Sequence, residues 1–536
     1  MEKDFLWWRD GVIYQIYPRS FADSNNDGIG DLPGIISKLD YLSELGVDAI
    51  WLSPIYPSPD KDFGYDVADY FDIDPKFGTL TDFDHLLQEA HKRNIHIVMD
   101  LVLNHISDQN AWFQASKSSR DNPYRDWFIW RDNPKGKQYP PNNWQSNFGG
   151  SGWEYDKTTG QYYYHMFLIE EPDLNWRNPD VYKKMMDVFK FWLDRGVDGF
   201  RLDVFNEYFK DDQYRDNPPR LGIRPFEWQK HIYDASRPEM MGALKDIRAI
   251  LDSYSERYAV GETFLATTSE EAAQYIGSDK LHTAFDFTFL TNPWNAKCFS
   301  SVITRWDRLL SDSGWPNYVL NNHDEPRSAT RYAKGENDAR LKVAAAMLLT
   351  LRGTPFLYYG EEIGMRDIKL KRSEILDPVG KHYWPFFIGR DGCRSPMQWD
   401  SSENAGFGKG KPWQKVHPNY LQRNVKAQSE DTDSLLNFYK KLLALRKTTP
   451  ALQKGSFVLL TDRQRRLLAY LRQSKEQTVL VVLNFGHHKE RLSMEPQLIG
   501  KEWQLLLSNK LYQVPEIKNG WLPIVGDEAS LYIRKN

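Results

Sequence analysis

The sequence predicts an α/β protein: a (β/α)8 barrel, interrupted by a small loop-rich domain after its third strand and followed by an antiparallel β-sandwich domain. Three observations predict it. Eight short apolar segments alternate with helical patterns over most of the 536 residues. From residue 105 to about 176 that rhythm gives way to a run rich in Trp, Asn, Gly, Pro and Tyr. From about residue 456 the apolar pattern changes to strand-like alternation.

The apolar segments fall at 12–17, 49–52, 95–103, 199–203, 259–262, 284–289, 318–322 and 355–359. Helical periodicity marks 35–45, 83–93, 240–251 and 339–351 between them. The helix before the fourth segment has both ends written in the sequence. Asn178 can cap it, Pro179 suits its first turn, and Tyr182, Met185, Met186, Phe189, Trp192 and Leu193 repeat at helical spacing up to Gly196. The irregular run is too long for an ordinary connection, so 105–175 reads as an inserted domain and 1–104 with 176–455 as the barrel. A second irregular stretch, about 365–427, follows strand eight and adds a wall to the same rim. After a helical pattern at 434–446, alternating runs at 467–471 and 478–484 place a β domain at 456–536.

Composition narrows the function. The 69 Lys and Arg nearly balance the 73 Asp and Glu, a net charge of −4, which gives no reason to expect nucleic acid or an anionic membrane as partner. A small neutral substrate fits better. Two cysteines, Cys298 and Cys393, make no disulfide framework, and no long uncharged apolar run or targeting segment is evident, so a soluble cytoplasmic protein is expected. Aromatic residues make up 14%; most belong to the core, but rings also form stacking walls for sugars. Nothing in the sequence speaks to oligomeric state.

The fourth segment ends in Arg201 and Asp203. A strand's period of two puts both on one face, where an unpaired carboxylate is costly to bury. The pair therefore either meets a ligand or closes the sheet as an ion pair. Other polar groups collect where the strands finish: His105 after the third, Glu262 ending the fifth, His323 and Asp324 after the seventh. Such a cluster could hold a divalent ion, but no His-x-x-x-His pair or Cys cluster supports zinc. Carbohydrate acid–base chemistry fits better, with one carboxylate at the anomeric carbon and another, protonated, serving the leaving oxygen. Arg201 should keep Asp203 ionised, while desolvation and two neighbouring aspartates should keep Glu262 protonated.

These motifs continue through the chain: GVIYQIYPRSF at Gly11 to Phe21, DLVLNH at Asp100 to His105, GFRLD at Gly199 to Asp203, Gly261-Glu262, Asn322-His323-Asp324, and GTPFLYYGEE at Gly353 to Glu362. Together they resemble the α-amylase superfamily of retaining glycoside hydrolases, family 13, in its α-glucosidase and oligo-1,6-glucosidase branch. The resemblance implies an exo-acting enzyme on short α-gluco-oligosaccharides, with transglycosylation when a sugar intercepts the covalent intermediate. It implies Asp203 as nucleophile, Glu262 as acid then base, and Asp324 as the carboxylate that steadies the sugar. Arg201, His105 and His323 would hold sugar hydroxyls and the nucleophile. Asp62, Tyr65 and Arg394 match the pair and ring that close such a pocket over a non-reducing-end glucose. Phe148 and Phe167 match the aromatic lining, though each alone reads as core. Arg327 either gates the pocket or forms a surface ion pair.

No cofactor for catalysis is implied, but an early loop suggests a structural cation. Asp23, Asn25, Asp27, Ile29 and Asp31 place oxygens at alternate positions with Gly28 at the sixth, the spacing of a calcium loop, though without a glutamate at the twelfth. Related α-glucosidases carry calcium or magnesium there; an Asx-rich turn is the alternative.

Linkage is ambiguous. Val204 resembles enzymes preferring α-1,6 bonds, whereas the segments Phe205 to Lys210 and Arg215 to Pro218 look more like an α-1,4-active subgroup. Glu171-Pro172-Asp173-Leu174-Asn175 also departs from the Gln-Pro-Asp-Leu-Asn usual in oligo-1,6-glucosidases. A glucosyltransferase or sucrose-acting member is the nearest alternative, although the arginine-aspartate cluster of sucrose isomerases is not evident in 328–340. The heavy subunits of amino-acid transporters share the barrel but are membrane-anchored binding partners without catalysis, whereas all three carboxylates are present here and no anchor is evident.

Overall fold

The computed structural model describes residues 5–132, 139–265, 268–310, 314–333, 335, 337–462, 464–494, 498 and 502–536. Positions 133–138 of the expected inserted domain lie outside the described residues.

Eight parallel strands form the central sheet: Ile13–Ile16, Ala49–Leu52, His96–Leu101, Gly199–Leu202, Tyr258–Gly261, Thr283–Ala284, Asn317–Val319 and Thr354–Tyr358. The eighth pairs with both the first and the seventh, so the sheet curls into a nearly closed barrel. Between the sixth and seventh no ladder is recorded among the described residues; the Asn317 amide donates to Thr283 Oγ1 at 3.2 Å instead.

Each strand is buried on both faces, as a parallel sheet under a helical layer requires. Ile50, Leu52, Ile97, Met99, Phe200 and Leu202 point outward into the main core with the helices. Their alternates Ile13, Trp51, Val98, Val260, Val319 and Phe356 fill the lumen. The helix Pro179–Arg195 is as its sequence implies: the Asn178 side chain accepts from Asp180 N, and Gly196 ends it at φ 108°.

Two expected elements differ. The sixth segment, 284–289, is a two-residue strand followed by the helix Phe287–Leu290, because Asp286 caps that helix through Thr288 N. The pattern at 35–45 is two helices, Leu32–Ile36 and Leu39–Leu45, broken at Ser37 and Lys38. Apolar spacing alone cannot distinguish a short buried strand from a helical turn.

After the third strand the chain forms the helix Ala111–Ser118 and a three-stranded antiparallel sheet of Trp130–Arg131, Gln161–Tyr164 and Trp153–Asp156. The C-terminal part is an antiparallel five-stranded sheet with a two-stranded one beside it. Strand Leu467–Gln473 explains the packing: Leu468 and Tyr470 join the barrel core, while Leu467, Ala469 and Leu471 meet Leu492, Leu522 and Ile524 of the smaller sheet. No described helix is long and apolar enough to cross a membrane.

Candidate active site

Strand register brings the first charges together. Asp100 on the third strand lies directly opposite Arg201 on the fourth, so both side chains enter the lumen side by side. Arg201 Nη1 donates to Asp100 Oδ1 at 2.8 Å and to Asp203 Oδ1 at 2.6 Å, and Nη2 donates to Glu262 Oε2 at 2.5 Å. One buried guanidinium thus holds the two expected catalytic carboxylates from beneath.

Above them lies a cavity of about 310 Å³, within the range of small-molecule sites. Asp203, Glu262 and Asp324 line it, with Asp62, Tyr65, His105 and His323. Phe148 and Phe167 supply apolar wall, their rings 5.7 Å apart. Arg201 and Arg394 stand behind this lining. Arg327 does neither thing expected of it: it is buried at 1% exposure, lies outside the lining, donates to the Tyr359 carbonyl at 2.6 Å and packs on the Tyr358 and Tyr359 rings.

A hydrogen-bond chain orients the histidine of this wall. Gln15 Nε2 donates to His323 Nδ1 at 2.9 Å, which leaves the proton of the neutral ring on Nε2. Burial pushes His323 down to about 3, so the ring is neutral at ordinary pH. Its Nε2 lies 2.5 Å from Tyr65 Oη and 3.2 Å from Asp324 Oδ2, and the Tyr65 hydroxyl donates onward to Asp100. Burial opposes ionisation of Asp324, yet His323, Arg394 and Arg390 hold its carboxyl well below the usual range. Asp324 is therefore a carboxylate.

Glu262 is raised as expected, by burial and by Asp324, whereas Asp203 departs from expectation. Burial pushes both up, and Arg201, although it pulls each down, does not cancel that effect. Arg201 does not separate them because it touches both. The proton affinity of each therefore depends on the charge of the other.

The pocket rim also differs. Asp62 pairs not with Arg394 but with Arg390, whose Nη2 donates to Asp62 Oδ1 at 2.5 Å and Asp377 Oδ1 at 2.7 Å. Arg390 Nη1 stands 3.6 Å from Asp324 Oδ1, and the guanidinium lies 5.4 Å from the Phe148 ring centre. Arg394 instead reaches Asp324 Oδ1 at 2.9 Å and the His323 carbonyl at 2.7 Å. Sequence reasoning missed Arg390 because it lies in the irregular stretch after the eighth strand, where no periodicity assigns a direction; its place four residues before Arg394 was the only hint. Phe387 of the lining lies in the same stretch, and Arg224 and Phe264 lie in the connections after the fourth and fifth strands, where no periodicity assigns a direction either.

Val204 sits at φ 34°, ψ 39°, a left-handed conformation unfavourable for a β-branched residue. The turn points its backbone N–H at Glu262 Oε2, 3.3 Å away. The strain lies beside the chemistry.

The early loop uses its side-chain oxygens on its own backbone. Asp23 accepts from Asn26 N and Gly28 N, Asn25 Oδ1 from Asp27 N, and Asp27 Oδ1 from Ile29 N. Asp31 is turned to Ser24 and to the helix it caps at Gly34 N. Among the described residues no three His, Cys, Asp or Glu cluster closely enough to hold a metal. The donors are all oxygen, a carboxylate keeps lone pairs after one hydrogen bond, and Gly28 at φ 93° closes the cradle where a Cβ would meet the Lys411 carbonyl at 2.0 Å. By donor chemistry Asp23, Asn25 and Asp27 still fit a hard cation, whereas Asp31 is turned toward Ser24 and Gly34 and would keep only Oδ1 for one.

Comparison with known proteins agrees with the geometry. Residues 15–455 match the family described as Alpha amylase, catalytic domain, and 457–524 match Maltogenic Amylase, C-terminal domain. The chain is 44% identical to a "Probable alpha-glucosidase" of Rhizobium meliloti over 91% of this chain and 90% of that one. It is 41% identical to an "Oligo-1,6-glucosidase" of Parageobacillus thermoglucosidasius, covering 95% and 96%. The crystal structure of an alpha-glucosyl transfer enzyme superposes with a TM-score of 0.93 at 39% identity, covering 99% of this chain and 100% of that one. The chain belongs to the α-amylase family and is a glycoside hydrolase.

Proposed function

We propose that this member of the α-amylase family is a retaining, exo-acting α-glucosidase that frees α-glucose from the non-reducing end of short α-gluco-oligosaccharides of the maltose or isomaltose type. The observation that carries the proposal is the single guanidinium of Arg201 bridging Asp203 and Glu262 under a pocket walled by Asp62 and Arg390. Two carboxyls on one guanidinium suit a nucleophile and an acid–base partner working on the same bond, as direct displacement requires.

In the first step an Asp203 oxygen attacks the anomeric carbon, the glycosidic C–O bond breaks, and Glu262 gives its proton to the leaving oxygen. In the second, Glu262 takes a proton from water, whose oxygen attacks the same carbon and frees Asp203. A sugar hydroxyl in place of water gives transglycosylation, and the likeness to an alpha-glucosyl transfer enzyme supports that branch. Asp324, anionic beside the pocket, steadies positive charge on the ring, while His105 offers a neutral N–H donor to a hydroxyl and His323, its Nε2 engaged with Tyr65 Oη, holds that wall in place. Calcium or magnesium on the loop 23–31 would stiffen the rim and take no part in the chemistry. The free thiols Cys298 and Cys393 suit a cytoplasmic enzyme.

The test is kcat/KM on maltose and isomaltose side by side, with products from maltotriose followed in time. Glucose as the first product, lost in Asp203→Asn with the fold intact, supports the proposal. Internal cleavage, or near-normal turnover by that variant, refutes it. Preference for isomaltose would assign linkage choice to Val204; preference for maltose, to the segment after it.

A further inference from the structure

Glu171 is a fully buried carboxyl behind the pocket wall that the reaction steps leave unused. Its Oε2 accepts from Leu168 N at 2.9 Å, while Oε1 lies 3.7 Å from His105 Nε2. Neither Oε1 nor His105 Nε2 has a hydrogen-bond partner. His105 itself lines the cavity, with its ring 5.0 Å from that of Phe167. Asn104 Nδ2 lies 3.2 Å from His105 Nδ1 and can only donate there, so the proton of the neutral ring is on Nε2. Two orphaned polar atoms thus face one another beside the sugar site.

We propose that Glu171 is a positioning residue: as a neutral acid it leaves His105 Nε2–H free for a hydroxyl of the bound glucose unit, and on ionising it captures that N–H and weakens substrate binding. The proposal rests on the α-glucosidase reading of the pocket. The charged groups around the pair are consistent with it. Burial, then Asp62 and Asp66, push Glu171 well above the ordinary glutamate range, with Arg390 opposing. Burial pushes His105 down to about 4, with Asp173 and the Tyr65 carbonyl opposing and Lys210 assisting. Glu171 thus has an unmet acceptor and His105 an unmet donor, and ionisation of the carboxyl decides whether they satisfy each other or the ligand.

The experiment measures KM and kcat for 4-nitrophenyl α-glucoside against pH in the intact wild type and in Glu171→Gln. This substrate needs little proton donation, so its alkaline limb does not report the general acid. In the wild type KM should rise by about fivefold along the alkaline limb, the value of one net hydrogen bond. In Glu171→Gln, which is neutral throughout, the rise of KM along that limb should disappear while kcat keeps the pH profile of the wild type. Parallel KM profiles in the two proteins overturn the proposal, whatever the variant does to melting temperature. If Glu171→Gln does not fold, the 15N imidazole signals of His105 in the wild type decide: they must move along the same limb, and constant signals overturn it. Absence of any wild-type turnover of α-glucosides would sink the α-glucosidase reading itself, whereas turnover with parallel profiles sinks only the role of Glu171.

Discussion

Arg201→Lys tests the central arrangement. Arg201 is 2% exposed and reaches three carboxylates through two nitrogens: Asp100 and Asp203 from Nη1, Glu262 from Nη2. A lysine keeps the charge but not the planar fork, so it cannot serve two carboxylates on one side and a third on the other. Deleting the cation altogether would leave buried carboxylates unpaired at a cost of about 3–5 kcal/mol, a large part of a typical total stability of roughly 5–15 kcal/mol, and the loss of fold would hide the loss of function. With lysine the fold should survive and the carboxylates shift out of alignment. A misplacement of about 1 Å is worth on the order of a hundredfold in kcat. The pH profile adds a sign. Arg201 lowers both Asp203 and Glu262 against burial, so weakening it raises the pair further, and the nucleophile is neutralised at higher pH than in the wild type. The acid limb of kcat/KM should therefore move upward in pH. The assay is steady-state hydrolysis of maltose across pH, with circular dichroism as control. Wild-type kcat with an unmoved acid limb in a folded variant would refute the bridging role.

Arg390→Met removes the partner of Asp62 and Asp377 at the rim. Burial already holds Asp62 up to about 6 despite Arg390. Charge-assisted contacts of this kind contribute about 1.5–3 kcal/mol, so KM for maltose should rise by about tenfold or more while kcat changes less; an unchanged KM would place the glucose unit elsewhere. For the loop 23–31, exhaustive chelation should lower the melting temperature and added calcium restore it, since a ligand bound to the native state stabilises it. An identical melt after verified metal removal would leave the loop as the set of Asx turns it already forms.

The alternation of strands and helices is written in the apolar spacing, because burial on both strand faces and one helix face must appear there. The sequence also shows which strand ends carry acids, because charged groups closing an apolar run have few places to go except the barrel mouth. Hence Arg201, Asp203 and Glu262 were legible as a group, and the helix before them was legible to its caps. Where apolar spacing carries two meanings, as at 284–289 and 35–45, it was not enough; side-chain caps and chain breaks settled those elements. Contacts between segments far apart in the chain emerge only on folding. Asp62 and Arg390 are 328 residues apart and Asn104 and Lys210 are 106 apart, so no local pattern couples them. The same holds for the charge states. Arg201 was legible as a neighbour of Asp203 two residues away, but its equal hold on Glu262, 61 residues on, appears only when the fourth and fifth strands lie side by side. Burial and the sum of neighbouring charges set a carboxyl's proton affinity, and both are properties of the packed barrel rather than of the chain that folds into it.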